Sequence, residues 1–252
     1  MTMLPTFDPP ASGIDEVIAR MQILDARLPR GDGFWWFNKL YLRMTLAIRE
    51  GLRSGQFQDP SFVIAWDIAF AQLYFDALRL AARNAPNLPR AWAPLRDARN
   101  RRGVLPLQFA IGGMNAHINR DLPWSLFDTC ARFEQAPDDD SAVKRDFLTV
   151  NRILAATEAV AKQDFSTGFV RVVDWLFGRT DDELALWSIE RARDAAWENT
   201  QHLWNLRASP TEQRRHMDIV DGFVGFAGRG ILRPLFVLSS FSQLSLLRQA
   251  GD

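Results

Sequence analysis

Apolar residues recur along most of the chain at the spacing of an α-helix. Phe34, Phe37, Tyr41, Met44 and Ile48 advance by alternating steps of three and four, which places them on one helical face. Asp59-Pro60 reads as a cap followed by a first-turn proline, opening a helix through Phe62, Trp66, Phe70, Leu73 and Ala77 to about Asn84. Asn87 to Pro94 reads as a proline-bearing connector with a short helix behind it. Pro106 starts a helix expected to run to about Leu122, where Pro123 should force a boundary. A further helix is expected from Trp124 to Glu134, then a loop at Ala136 to Asp140, then a helix capped by Asp140 or Ser141 that reaches Lys162. Asp181 or Asp182 should cap a long helix from Glu183 to Leu206, and Ser209-Pro210-Thr211-Glu212 should open another. Gly222, Gly225, Gly228 and Gly230 interrupt that last pattern, and the apolar run after Pro234 reads helical to Leu247. Strand alternation and internal repeats are missing. The pattern predicts one all-α domain over 1–252, a bundle of about eight to ten helices behind an extended N-terminal arm at 1–12.

Composition narrows the chemistry. The 252 residues carry no net charge, which removes the electrostatic basis for nucleic acid or an anionic membrane as partner. A single cysteine, Cys130, excludes a disulfide framework, and His117, His202 and His216 are too few for a histidine-rich multi-metal centre. The N-terminal stretch lacks a signal-peptide pattern, and the longest uncharged runs, Gly103 to Asn119 and Pro234 to Leu247, fall short of the ~20 residues that span a bilayer. A cytoplasmic protein without a membrane span is expected.

The densest polar cluster lies in the otherwise apolar stretch from Leu105 to Pro123. On a helix His117 and Asp121 share a face, as do Asn115 and Asn119. Gly112 and Gly113 precede them, and each glycine costs roughly 1 kcal/mol in a helix interior, so close approach of another backbone or a ligand is implied. Three readings compete. His117 is a general acid/base oriented by Asp121; or the two residues are ligands of one metal; or the cluster is a hydrogen-bond network that locks helices together. Asp67 is a second anomaly, set among apolar neighbours with Tyr74 two turns on, and it must be paired, hydrogen-bonded or protonated. Arg193 and Trp197, four apart, are candidates to partner Asp67 or to stack on a substrate. Trp35, Trp36, Trp66, Trp124, Trp187, Trp197 and Trp204 read as core, with an apolar ligand pocket between helices as their minority use. Cys130 reads as buried, and Asp138 to Asp140 as a solvated capping loop. Dinucleotide, phosphate-loop, zinc-protease and nucleophile-elbow motifs are missing, so no cofactor has support.

Three motifs carry a family resemblance. Phe37-Asn38-x-x-Tyr41-x-x-Met44-Thr45-x-x-Ile48, Asp67-x-x-Phe70-x-x-x-Tyr74-Phe75 and Gln108-Phe109-Ala110-x-x-Gly113-Met114-Asn115-Ala116-His117-Ile118-Asn119-x-Asp121-Leu122-Pro123 resemble the DUF5995 family, and Arg193-x-x-x-Trp197 is similar to its C-terminal helix. The resemblance covers roughly residues 30 to 210. Its biochemistry is largely undefined, but members occur in bacterial natural-product clusters, which implies a small-molecule tailoring or cyclisation role. The pair His117 and Asp121 is also similar to the zinc-binding helix of the phospholipase C/P1 nuclease class, although this chain lacks the further histidines of that class.

The resulting expectation is a cofactor-independent enzyme acting on a hydrophobic small molecule. His117, Asp121 and Asp67 would be catalytic, and Asn115, Asn119, Asn38, Tyr41, Trp66, Tyr74, Arg193 and Trp197 would bind substrate. Cyclisation, conjugate addition, dehydration and isomerisation fit that equipment. The alternatives are a metal-dependent hydrolase using His117, Asp121 and Asp67, and a non-catalytic binding or scaffold protein, with a homodimer compatible with each.

Overall fold

The computed structural model describes residues 7–164 and 189–234. Within them the chain forms nine α-helices and one π-helical turn and no strand, an all-α single domain as the pattern predicts. The helices are α1 (Ile14–Arg27), α2 (Gly33–Arg53), α3 (Pro60–Ala82), α4 (Ala93–Ala98), α5 (Pro106–Ala116), α6 (Leu122–Arg132), α7 (Ala142–Asp164), α8 (Ile189–Asn205) and α9 (Pro210–Ile231), with the π turn at His117–Asp121. The expected cap at Asp181 or Asp182, Trp187, the run beyond Pro234 and residues 1–6 of the arm lie outside the described residues.

Local chemistry sets the helix ends. Asp32 accepts the Phe34 N–H at the start of α2, and Asp59 accepts the Phe62 N–H at the start of α3, whose first turn holds Pro60. Past α3, Asn84 adopts a φ of 49°, a left-handed conformation in which a helix cannot continue. Ser141 Oγ accepts the Lys144 N–H and caps α7.

α2 is central. Its predicted stripe of Phe34, Phe37, Tyr41, Met44 and Ile48 is buried, and the helix packs against α1, α5 and α7. α6 lies between α3 and α8, and α9 crosses α4, α5 and the π turn. At the described end of the arm Arg20 donates to the carbonyls of Phe7 and Pro9.

Two expectations are corrected. Pro123 does not end a helix: α5, the π turn and α6 run on without a break. The Leu122 N–H bonds the His117 carbonyl five residues back, so the ladder has already shifted register where the proline lacks a donor. Nor do the glycines interrupt α9, which is continuous to Ile231. A β-carbon at Gly225 would stand 2.5 Å from the Arg90 carbonyl oxygen, and one at Gly228 would stand 3.2 Å from Pro94. These glycines let α9 cross closely over the connector, where Asp221 accepts the backbone N–H groups of Arg90 and Ala91.

α3 is the one helix among the described residues long and apolar enough to cross a membrane, with a mean hydropathy of 1.3 in its most apolar window. Half of that window is buried inside the protein, and the helix carries Asp67, Asp76 and Arg79. Of the tryptophans read as core, Trp35, Trp66 and Trp197 are buried, whereas Trp36, Trp124 and Trp204 are half-buried.

Candidate functional site

The π turn builds the site around His117. Both predicted four-residue pairs form: His117 Nδ1 lies 3.0 Å from Asp121 Oδ2, and Asn119 Nδ2 donates to Asn115 Oδ1 over 3.2 Å. His117 is 2% exposed and Asp121 fully buried. Asp121 collects two further donors that sequence reasoning missed. The Trp92 indole N–H reaches Oδ2 at 2.9 Å and the Arg120 guanidinium reaches Oδ1 at 2.6 Å.

Those donors decide the ionisation. Burial pushes the Asp121 carboxyl up, but the His117 hydrogen bond and the Arg120 charge outweigh it and hold the group below the usual carboxylate range. For His117 burial wins over the Asp121 hydrogen bond and charge, and the imidazole is held below its ordinary value. Near neutral pH the pair is therefore a carboxylate accepting Nδ1–H from a neutral ring, whose Nε2 carries a lone pair. Nε2 is buried and has no hydrogen-bond partner.

An aromatic cage fixes the ring. Phe70 stacks on it at 3.6 Å between centroids and 6° between planes, and Tyr41 and Phe37 present edges at 4.6 and 5.7 Å. Phe37 is able to sit there because residue 113 is glycine; a β-carbon at that position would lie 2.4 Å from the Phe37 ring. The double glycine thus serves close approach by protein side chains, Gly113 facing Phe37 and Gly112 facing Leu232.

Beside His117 lies a cavity of about 50 Å³ lined by Phe37, Leu40, Tyr41, Met44, Phe70, Met114, Ile118, Leu154 and Arg193. An apolar cavity of roughly 150 Å³ holds benzene, so this one admits only a few heavy atoms. Among the described residues the space beside His117 is no larger than this. A wider open groove of about 440 Å³ at Arg30, Asp32, Trp36 and Arg101 shares no lining residue with the cavity beside the histidine.

Two more predicted residues reach the cavity. Tyr41 is buried and its hydroxyl has no partner; burial first, then the charges of Asp67 and Asp121, keep the phenol protonated far above its ordinary range. Arg193 is 3% exposed, with its guanidinium 4.6 Å from the Phe147 ring centroid and 5.6 Å from that of Trp66. Its Nε donates to Asn151 Oδ1, its Nη2 has no partner, and burial pulls it down to about 9. No carboxylate pairs with it among the described residues, so the expected Asp67 partnership is not formed. Asp67 is half-buried, with an unpartnered Oδ2, and burial pushes it up to about 7.

The remaining predicted site residues serve the architecture. Asn38 donates to the Met21 carbonyl and accepts the Tyr74 hydroxyl, joining α1, α2 and α3. Asn115 donates to the Val224 carbonyl of α9. Trp66 stacks on Phe147, and Trp197 donates its indole N–H to Asp139 in the acidic loop. Burial pushes the Cys130 thiol up to about 12, which leaves no thiolate for attack.

A metal fits poorly. Both Asp121 oxygens are engaged by donors, His117 turns Nδ1 to Asp121 itself, and no group of three histidine, cysteine or carboxylate side chains converges among the described residues. In comparisons with known proteins, the model of a family of unknown function, DUF5995, matches residues 14–234. No curated protein and no solved structure matches.

Proposed function

The chain belongs to the DUF5995 family, a family of unknown function, and from its own site chemistry we propose that it is a cofactor-independent acid–base enzyme in which His117 moves a proton on a small molecule. The observation that carries this reading is the asymmetry of one imidazole. Nδ1 is committed to a fully engaged carboxylate, while Nε2 is buried without a hydrogen-bond partner in a residue that lines a small cavity. That arrangement makes His117 a base, with Asp121 fixing its tautomer and stabilising the imidazolium that forms. His117 and Arg120 keep Asp121 ionised, and the Trp92 and Arg120 hydrogen bonds hold it in place.

Cavity size selects within the reaction class. Cyclisation requires a chain folded around the catalytic groups, and about 50 Å³ does not hold one. Isomerisation or dehydration next to a carbonyl needs only the reacting end of a substrate. An enzyme of bacterial natural-product metabolism, the setting implied by the family resemblance, is compatible with either.

Proton transfer is measurable without a known substrate. The enzyme is expected to exchange solvent deuterium into small ketones, enoyl compounds or hydroxy acids, read by mass spectrometry. His117→Gln should reduce exchange by about 10²–10⁴-fold. The pH profile should rise and reach its plateau below the ordinary histidine value of about 6.5. Exchange that survives His117→Gln, or no exchange over the whole panel, rejects the reading.

A further inference from the structure

The other two histidines of the chain meet each other. His202, near the end of α8, and His216, in the second turn of α9, stand with ring centroids 4.5 Å apart and planes inclined by 51°. Burial does not account for the contact, because His202 is exposed and His216 only half-buried. Asn199 decides the tautomer of His216. Its Nδ2 donates to the Ala195 carbonyl at 3.0 Å, which turns Oδ1 toward His216 Nε2 at 3.1 Å. An amide oxygen only accepts, so Nε2 carries the proton and the lone pair of that ring is on Nδ1. An outer residue holding one ring nitrogen in this way is how a metal-ligating histidine is oriented. The His202 imidazole makes no hydrogen bond among the described residues, so it is able to turn.

We propose that His202 and His216 form a two-histidine site for a divalent metal of tetragonal preference, copper before nickel, with His216 Nδ1 as one ligand and a nitrogen of His202 as the other. The spacing of the rings supports it. A metal–nitrogen bond of ~2.0–2.1 Å puts an imidazole centre about 3.2 Å from the ion, so two rings at a right angle on one ion stand about 4.5 Å apart. A tetrahedral angle would spread them to about 5.2 Å. Among the described residues no third histidine, cysteine or carboxylate joins the pair, so water completes the coordination. Two imidazoles at a right angle with open positions suit Cu²⁺ and Ni²⁺, whereas zinc takes a tetrahedron with three or four protein ligands. The ion would brace α8 against α9, alongside the bond that Gln213 Nε2 makes to the Leu203 carbonyl. This site does not depend on the acid–base reading of His117.

The experiment is titration of the untagged, metal-free full chain with Cu²⁺, Ni²⁺, Zn²⁺ and Mg²⁺ at about pH 7.5, where protons compete little for imidazole. Calorimetry should give one Cu²⁺ per chain, weaker binding of Ni²⁺ and Zn²⁺, and none of Mg²⁺. Saturating Cu²⁺ should raise the unfolding temperature, and its paramagnetic resonance spectrum should report two imidazole nitrogens. His202→Asn alters an exposed ring, so the protein should fold as before. Its Cu²⁺ binding should weaken about a hundredfold or more, since loss of an outer partner alone costs about 10–100-fold. Asn199→Ala, which releases the His216 ring, should weaken binding about tenfold. Unchanged copper binding by His202→Asn, a copper spectrum without two imidazole nitrogens, or no saturable binding of Cu²⁺ by the unaltered chain overturns the proposal.

Discussion

At the residue scale, the site depends on what surrounds Asp121 more than on Asp121 itself. Burial alone would favour the protonated carboxyl, and three donors, His117 first among them, oppose it. Trp92 is the least replaceable of them, because it is fully buried, stacks on Phe34 at 6.0 Å and points its indole N–H at Oδ2. Trp92→Phe removes that donor and leaves a void in the aromatic cage. Chemical denaturation should show a loss of about 3 kcal/mol. Arg120 is partly exposed, so its ion pair with Asp121 is screened and contributes less.

At the element scale, the segment from Pro106 to Arg132 acts as a two-faced rod. One face sends Gln108 to the carbonyls of Ile231 and Arg233 at the end of α9, and Asn115 to the carbonyl of Val224. The other face, through the π turn, sends His117 and Asp121 inward. The extra residue of a π turn rotates the downstream half of the rod relative to the upstream half, so one continuous segment serves both faces. Gly113 sets how near α2 lies to that rod. Gly113→Ala would gain about 1 kcal/mol of helix propensity, but its β-carbon would overlap the Phe37 ring and Cβ, and Phe37 is 1% exposed with no space to retreat. Overpacking of about 1–3 kcal/mol wins. The variant should unfold at a lower temperature in calorimetry, and Phe37 should no longer hold the imidazole edge-on.

At the scale of the whole molecule, the buried titratable groups oppose one another. Asp67 is raised to about 7 in the folded protein against roughly 3.9 unfolded, so its contribution is present at low pH and is lost as pH rises through about 7. His117 and Asp121 are both lowered on folding, so their contributions are present at high pH. That of His117 is lost as pH falls below about 6.5, and that of Asp121 at more acid pH, below about 3.9. Asp67→Asn removes one side of this balance. It should raise stability at pH 8 by about 1 kcal/mol, a figure reduced for the partial exposure of the side chain, and change little near pH 4. Denaturation curves across that range decide it. Helix count, the buried stripe of α2, the caps at Asp59 and Ser141 and the pairing of His117 with Asp121 were legible from spacing, because a helix places residues three and four apart on one face whatever it packs against. Residues 92, 120 and 193 acquired their roles only on folding. Trp92 sits in a proline-bearing connector with no periodicity to mark it, and Arg193 lies 76 residues beyond His117, the difference between their positions in the chain. The π turn, the continuity through Pro123 and the small size of the cavity were likewise set by packing. Local spacing determines which side chains can meet along one helix, but which donors, cation and empty space meet a given imidazole depends on contacts between distant segments, and those exist only once the core has closed.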